Sequence, residues 1–510
     1  MSRPSRHPNV RQLFLALSSA VLLVLSFPSF NQWWCAWVAL VPWLLLLRQA
    51  SARAAFWWSY LIGAIFFLAS IWWLTYVTGA GWILLCAVLA LYFGLFGWLA
   101  RRMLIRDAAF TACLTLPALW VMLEYLRSHL LSGFGWNLLA YSQAPWLEAI
   151  QIADLTGAWG VSFLIVLVNA GAAVFLMRKT RRTALGLTAT LGILAMALAY
   201  GVVHLPERRT SGPVRVAVVQ GNIPQEKKWD DAYQQTILER YAALTAEAAK
   251  TMPDLIIWPE TSVPGYFGAE EPVTQPVFEL ADAIAIPLLV GAPMFRVTPE
   301  GMLLTNSAAL VAAGQGLIAR YDKLHLVPFG EFIPFERQLP WLRQALPPIG
   351  DFIPGSDPTV FRLPDRSALS VLVCFEDLFP ELARGFVRRG AKMLAVITND
   401  AWFGPTAAAY QHAQASTLRA VELRVPIVRA ANTGWSGCID STGRWVASVH
   451  DAQGTELFVP GTQSCELWLG DAQPTRLYLR WGDWFVWVCL AVLAIFFIRQ
   501  LLPRQSVASN

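Results

Sequence analysis

Eight uninterrupted apolar runs constrain this chain more than any other feature. They lie at about 12–30, 32–47, 54–77, 80–100, 109–126, 159–177, 184–204 and 484–498. Most approach the ~20 residues a helix needs to cross ~30 Å of hydrocarbon, and the second is shorter. One such run fits a buried helix of a soluble core. Eight do not, and the composition agrees: 56% of residues are apolar and only 14% charged, against roughly 45–50% and about 25% in soluble domains.

Lys and Arg set the expected orientation. Arg3, Arg6 and Arg11 precede the first run. Arg48 and Arg53 follow the second, and Arg101, Arg102 and Arg106 the fourth. Arg178, Lys179, Arg181 and Arg182 follow the sixth, and Arg499 and Arg504 the last. Every second junction is basic, so eight spans with both termini in the cytoplasm are expected. The 127–158 loop and the long 205–480 segment then lie outside. The first run has the basic start of a signal peptide, but Ser26-Phe27-Pro28-Ser29-Phe30 offers no small-residue cleavage pattern and a second span follows at once, so it is read as retained.

Few ionisable residues interrupt the spans, which disfavours an ion or proton pathway. Glu124 and Arg127 are the exceptions, readable as a pair one helical turn apart at the interface. The loop after the fifth run, Ser132-Gly133-Phe134-Gly135-Trp136-Asn137, reads as interfacial surface, open to lipid or anchored by its aromatics.

From Val214 short β-branched runs alternate with polar helix-compatible stretches. Strands are predicted at 214–219, 254–258, 287–290, 307–311, 368–373, 393–398 and 426–430, with helices at 232–250 and 411–422. In the first helix Ile237, Tyr241, Leu244 and Ala248 fall on one face. Alternating strands and helices indicate an α/β layered domain. The expected divisions are a seven-helix membrane bundle at 1–204, the α/β domain at 205–480, and a last membrane helix with its tail at 481–510. The middle segment carries 24 Lys and Arg against 29 Asp and Glu. No basic face with interleaved aromatics appears, so nucleic acid is not an expected partner. The seven cysteines show no CxxC pair and no zinc-type spacing, so no metal site is expected.

Three strand ends carry unusual chemistry: Trp258-Pro259-Glu260, Tyr321-Asp322-Lys323-Leu324-His325 and Cys374-Phe375-Glu376-Asp377. Singly each has an ordinary reading, as a loop acid, a surface lysine and a buried thiol. Together they supply what acyl transfer requires: a thiol nucleophile, a carboxylate to move its proton, and a cation for the oxyanion. Histidine is the alternative base, either His325 or His412.

These three motifs, in order and spacing, resemble the Glu-Lys-Cys triad of the nitrilase superfamily. With the eight runs, the chain resembles its membrane-integrated branch, the apolipoprotein N-acyltransferase family, over essentially its whole length. Gln220-Gly221-Asn222-Ile223-Pro224-Gln225, Val327-Pro328-Phe329-Gly330-Glu331, Asn399-Asp400-Ala401-Trp402-Phe403 and Ala431-Asn432-Thr433-Gly434 belong to the same likeness. The resemblance implies an α-β-β-α sandwich joined to an eight-helix bundle of the bacterial inner membrane, with the sandwich in the periplasm. It implies transfer of an acyl chain from a phospholipid, typically phosphatidylethanolamine, to the α-amino group of an apolipoprotein's N-terminal diacylglyceryl-cysteine, with no cofactor. Carried across, Cys374 is the nucleophile, Glu260 the general base and acid, and Lys323 the oxyanion cation. Glu331 and Glu376 match supporting glutamates and Trp229 a substrate-handling tryptophan. Phe375 stands where the family often has Tyr, so a hydroxyl-dependent role there is lost.

Two other readings stand beside this one. A membrane-tethered hydrolase of small amides would need only one anchor. A transporter or receptor with an inert nitrilase-like domain would not need the three motifs. The Pro/Gly-punctuated loop from Pro347 to Gly355 reads either as a mobile lid that dips into lipid or as a turn-rich connection. Cys438 and Cys465 lie on the expected outer side, where a bridge between them would persist.

Overall fold

The computed structural model describes residues 10–501 apart from 107–108, 207–211, 300, 337, 339, 346–349, 364–366 and 470–475. Arg3, Arg6, Arg504 and Pro347–Ile349 therefore lie outside the described residues. The chain forms two compact units. One comprises residues 1–203 with 481–510, and the other residues 204–480.

In the first unit each apolar run is centred on a helix. These are α1 (Val10–Leu25), α2 (Ala36–Gln49), α3 (Ala52–Ser70), α4 (Gly79–Arg106), α5 (Ala109–His129), α6 (Ala158–Arg178), α7 (Arg181–His204) and the C-terminal helix Trp484–Leu501. Among the described residues, α3, α4, α6 and α7 are long and apolar enough to cross a membrane, while α1 and the C-terminal helix are shorter apolar helices. Small residues let α3 and α4 pack closely. A Cβ on Gly97 would sit 1.8 Å from the Ser59 hydroxyl, which itself accepts from the Trp43 indole at 2.7 Å. Pro42 interrupts α2, and side chains enter the helix ladder beside it. Asn169 accepts from Leu40 N at 2.9 Å and donates to Ala36 O at 2.9 Å. Such substitutes are what an apolar interior demands, because no solvent can satisfy the backbone there.

The 132–143 loop differs from the surface expected of it. Trp136, Asn137 and Leu138 through Gln143 are buried. Glu124 accepts from Leu139 N at 2.7 Å, and Arg127 donates to Trp136 O at 2.6 Å. The two charges serve loop backbone that would otherwise be unsatisfied.

The second unit is built from two six-stranded sheets. The first contains β1 (Pro213–Gln220), β2 (Leu255–Ile257), β3 (Leu288–Thr298), β4 (Gly301–Ala312) and β5 (Gly316–Asp322). The second contains β6 (Phe361–Arg362), β7 (Ala368–Val373), β8 (Met393–Thr398), β9 (Ile427–Ala431), β10 (Gly437–Ile439) and β11 (Trp445–Ser448). Strand β12 (Gly461–Trp468) returns to the first sheet, antiparallel to β1 over eight residue pairs. Strands β1, β2 and β3 run parallel, and two reversals bring β5 back to their direction. Strands β7, β8 and β9 are also parallel.

The layers follow from the two-residue period of a strand. Val214, Val216 and Val218 join the core containing both sheets, with Leu369, Val371 and Val373. Ala217 and Val219 face the other way, toward Ile237 and Tyr241 of α8 (Gln234–Ala249) and Val273 and Val277 of α9 (Glu271–Ile284). Ala383 and Phe386 of α10 (Pro380–Arg388) and Ala413 and Ala420 of α11 (Ala408–Leu423) pack with the second sheet. The result is the α-β-β-α arrangement that the resemblance implies.

Cys438 of β10 and Cys465 of β12 form a disulfide, Cα to Cα 6.6 Å, so the bridge ties one sheet to the other. Denaturing alkylation without reductant is expected to label five cysteines, those outside the bridge, and to yield one crosslinked peptide by mass spectrometry. Paired replacement by Ser is expected to cost about 3 kcal/mol of unfolding free energy. Seven labelled cysteines would contradict the bridge.

Candidate active site

The site lies where strands of both sheets end. Glu260 follows β2, Lys323 follows β5, and Cys374 follows β7. In open α/β sheets this carboxyl edge is where ligands bind.

The turn that carries Glu260 is held against β3. Trp258 N donates to Leu289 O at 2.8 Å, and Ser262 N donates to Gly291 O at 2.8 Å. The approach is so close that a Cβ on Gly291 would sit 2.3 Å from Pro259 O, so only glycine fits. Thr261 has φ +46°, in the left-handed region. The Glu260 carboxylate is then fixed by three groups. Asn306 Nδ2 donates to Oε1 at 2.7 Å, Asn399 N donates to Oε2 at 2.9 Å, and Lys323 Nζ stands 3.9 Å from Oε1.

Lys323 is almost fully buried. Its ammonium contacts Glu331 Oε2 at 2.8 Å, and Asn306 Nδ2 spans the two carboxylates by also donating to Glu331 Oε1 at 2.7 Å. Burial opposes the charge on Lys323, but Glu331 and Glu260 outweigh it and hold its proton more firmly than usual. Its backbone is clamped as well: Lys323 N donates to Asn306 O at 2.8 Å, and Gly355 N to Lys323 O at 2.7 Å. The described part of the 347–355 loop is thus tied down, with Phe352 N on Glu331 O and Ile353 N on Leu304 O.

Cys374 is half-buried and has φ +53°. A non-glycine residue there carries strain of order 1–3 kcal/mol, which the surroundings must impose. Glu376 supplies part of that restraint. Its carboxylate accepts from Val373 N at 2.7 Å, Leu324 N at 2.7 Å, His325 N at 3.0 Å and the Tyr321 hydroxyl at 2.9 Å. One buried side chain therefore joins the Cys374 turn to the Lys323 segment. Burial pushes the Glu376 carboxyl up to about 7, against Lys323 and these donors. Burial also pushes the Cys374 thiol well above its usual range; Glu260 adds to this and Lys323 opposes it. The shift favours the neutral thiol over the thiolate.

Both histidines are held by other groups. His412 sits under the Cys374 turn, with Nε2 2.8 Å from Asp377 Oδ1 and 3.2 Å from Cys374 O, and Nδ1 3.1 Å from Asp400 Oδ1. Arg429 completes this cluster, 3.0 Å from Asp377 Oδ2 and 3.3 Å from Asp400 Oδ2. Burial raises the proton affinity of both aspartates, but His412 and Arg429 hold them below the usual carboxylate range. The His325 ring packs on Phe379 at a tilt of 33°, with centroids 3.8 Å apart. Phe375 meets Phe379 edge-on at 5.1 Å. Trp229 is 52% exposed, in the connection between β1 and α8.

Sequence reasoning missed Asn306, Lys228 and the Asp377–Asp400–His412–Arg429 cluster. The signal for Asn306 was an amide within the apolar strand 301–312. Lys228, beside Trp229, is buried with its ammonium 2.9 Å from Glu260 O.

Residues 19–171 match the model of the apolipoprotein N-acyltransferase N-terminal domain, and residues 215–468 that of carbon-nitrogen hydrolases. An apolipoprotein N-acyltransferase from Geobacter metallireducens is 38% identical, covering 97% of both chains. One from Methylococcus capsulatus is 32% identical over 98% of both. A Nesterenkonia amidase of the nitrilase superfamily overlies 53% of this chain and 94% of its own, at 20% identity and a TM-score of 0.38, a likeness too slight to build on.

Asp377→Asn is expected to destabilise the protein by about 3–5 kcal/mol, because Arg429 and His412 would lose a buried counter-charge. Denaturant unfolding followed by near-UV circular dichroism checks this. A loss below about 1 kcal/mol would contradict a structural ion cluster under Cys374.

Proposed function

The chain belongs to the apolipoprotein N-acyltransferase family, a membrane-integrated family of acyltransferases in lipoprotein maturation, and on that premise we propose its donor, acceptor and mechanism. A phospholipid, typically phosphatidylethanolamine, gives up one acyl chain to Cys374. The α-amino group of an apolipoprotein's N-terminal diacylglyceryl-cysteine then takes it. The observation that carries this reading is the convergence on one carboxyl edge of Glu260, bonded to Asn399 N, and Lys323, bonded to Glu331, beside the strained Cys374 turn.

The steps follow from the placement. Glu260 takes the Cys374 proton as sulfur attacks the ester carbonyl, which avoids a free thiolate in a buried site. Lys323, held by Glu331, faces the oxyanion of the tetrahedral intermediate. Collapse breaks the ester C–O bond, Glu260 returns the proton to the leaving oxygen, and lysophospholipid departs from a Cys374 thioester. The acceptor amine attacks that thioester and gives a proton to Glu260. Collapse then breaks the C–S bond and returns the proton to sulfur. Glu331 and Glu376 keep Lys323 and Cys374 in register, and Trp229 and Phe375 offer apolar surface to acyl chains.

For the membrane we propose eight spans, both termini in the cytoplasm and the 204–480 unit in the periplasm. The alternation of basic junctions supports this, as does the Cys438–Cys465 bridge, which suits an oxidising compartment.

The test supplies purified protein with phosphatidylethanolamine and a diacylglyceryl-cysteine peptide. One acyl mass on the peptide amine and one lysophospholipid per turnover are expected. Glu260→Gln is expected to lower the rate about 10²–10⁴-fold, and Cys374→Ala to abolish it. Release of free fatty acid with no peptide product would instead indicate a hydrolase.

A further inference from the structure

The reaction steps above leave one buried charge unused. Lys228 is 2% exposed and directly follows the turn Gln225–Lys227. Its Nζ donates to the main-chain oxygen of Glu260 at 2.9 Å, so it anchors the residue before the strained Thr261. A buried ammonium held by one neutral carbonyl is costly unless negative charge lies near. Here the negative charge is that of Glu260 and of an ionised Cys374, both of which favour the charged amine.

The charges explain why the site needs it. Glu260 and Glu331 against Lys323 leave one excess negative charge, and a protonated Lys228 cancels it. When the Cys374 proton passes to Glu260, that charge moves from carboxylate to sulfur, and Lys228 bears on both positions. Lys323, by contrast, is engaged by Glu331 at 2.8 Å. Around this pair stand also Asn306 and the Asn399 N–H on Glu260, and Asp400 and the Thr398 hydroxyl, which act on Cys374 in opposite senses.

We propose that Lys228 is a second cation of the reaction centre, a positioning residue that fixes Glu260 through its main-chain oxygen and supplies a proton-dependent positive charge favouring the Cys374 thiolate. Burial pushes its amine down to about 7, with Glu260 and Cys374 opposing the fall. The sign follows. Below about pH 7 Lys228 carries its proton and promotes ionisation of the thiol. As pH rises through that value the charge is lost and the promotion with it.

The proposal rests on Cys374 being the nucleophile, so its test uses a probe without lipid. Iodoacetamide alkylation of Cys374 in the intact membrane protein, read by peptide mass, would be followed from about pH 5.5 to about pH 9.5. Lys228→Met is expected to slow alkylation about tenfold more at pH 6 than at about pH 9, where the charge is gone from both proteins and only the lost anchor still slows it. Loss of the anchor alone would slow it by the same factor at every pH. Lys228→Arg, which keeps its charge, is expected to match the unaltered protein at pH 6 and to exceed it at pH 9. A pH-independent ratio for Lys228→Met, or Lys228→Arg tracking the unaltered protein throughout, would overturn the proposal; either variant decides if the other does not fold. Failure of the phospholipid reading would leave this pattern intact, because no acyl donor takes part.

Discussion

A lysine ammonium buried between two carboxylates is the interaction on which the rest of this site depends. Lys323 contacts Glu331 at 2.8 Å and stands 3.9 Å from Glu260, and Asn306 donates to both carboxylates. Charges this deep are tolerated only when paired and hydrogen-bonded, and breaking such a pair is far costlier than never having built it. The surrounding chain supplies the pairing. Strand β4 contributes Asn306, the turn after β2 contributes Glu260, and the segment after β5 contributes Lys323. The Lys323 and Asn306 backbones are bonded to each other and the Glu260 turn is bonded to β3, so geometry and charge are fixed together, as catalysis by a preorganised field requires.

The second sheet is organised to present one sulfur to that cluster. Cys374 holds a left-handed backbone, and beneath it Asp377, Asp400, His412 and Arg429 pair their charges. Glu376 joins the two halves through Leu324 N and Val373 N. Glu331 is taken up by Lys323, Asn306 and Val327 N, and Glu376 by backbone N–H groups and the Tyr321 hydroxyl. That division leaves Glu260 as the carboxylate through which protons pass in the proposed mechanism.

Much of the fold was legible because burial writes itself into apolar runs. The strands ending at Val373 and Thr398 were read with the bounds the structure gives them. Strand β12 was missed because Thr462, Gln463, Ser464 and Glu466 leave it no apolar signature; it is held by pairing to β1. His412 was readable as a residue but not as a role, since its position under Cys374 is set by the packing of a buried helix. Lys228 had no signal at all, because nothing in its neighbours distinguishes a buried lysine from a solvated one. The 132–143 loop was misjudged for a related reason: Gly and Trp suit a lipid interface and a buried loop alike, and Glu124 and Arg127 decide between them by binding its backbone.

The central claim is that Cys374 carries the acyl chain between two lipid partners. Intact-mass measurement after incubation with phosphatidylethanolamine, with no acceptor present, tests it directly. One fatty-acyl mass should appear, map to Cys374, and leave on treatment with neutral hydroxylamine, as a thioester does. Protein that transfers acyl chains to a lipopeptide yet never carries that mass, or carries it at another residue, would contradict the account.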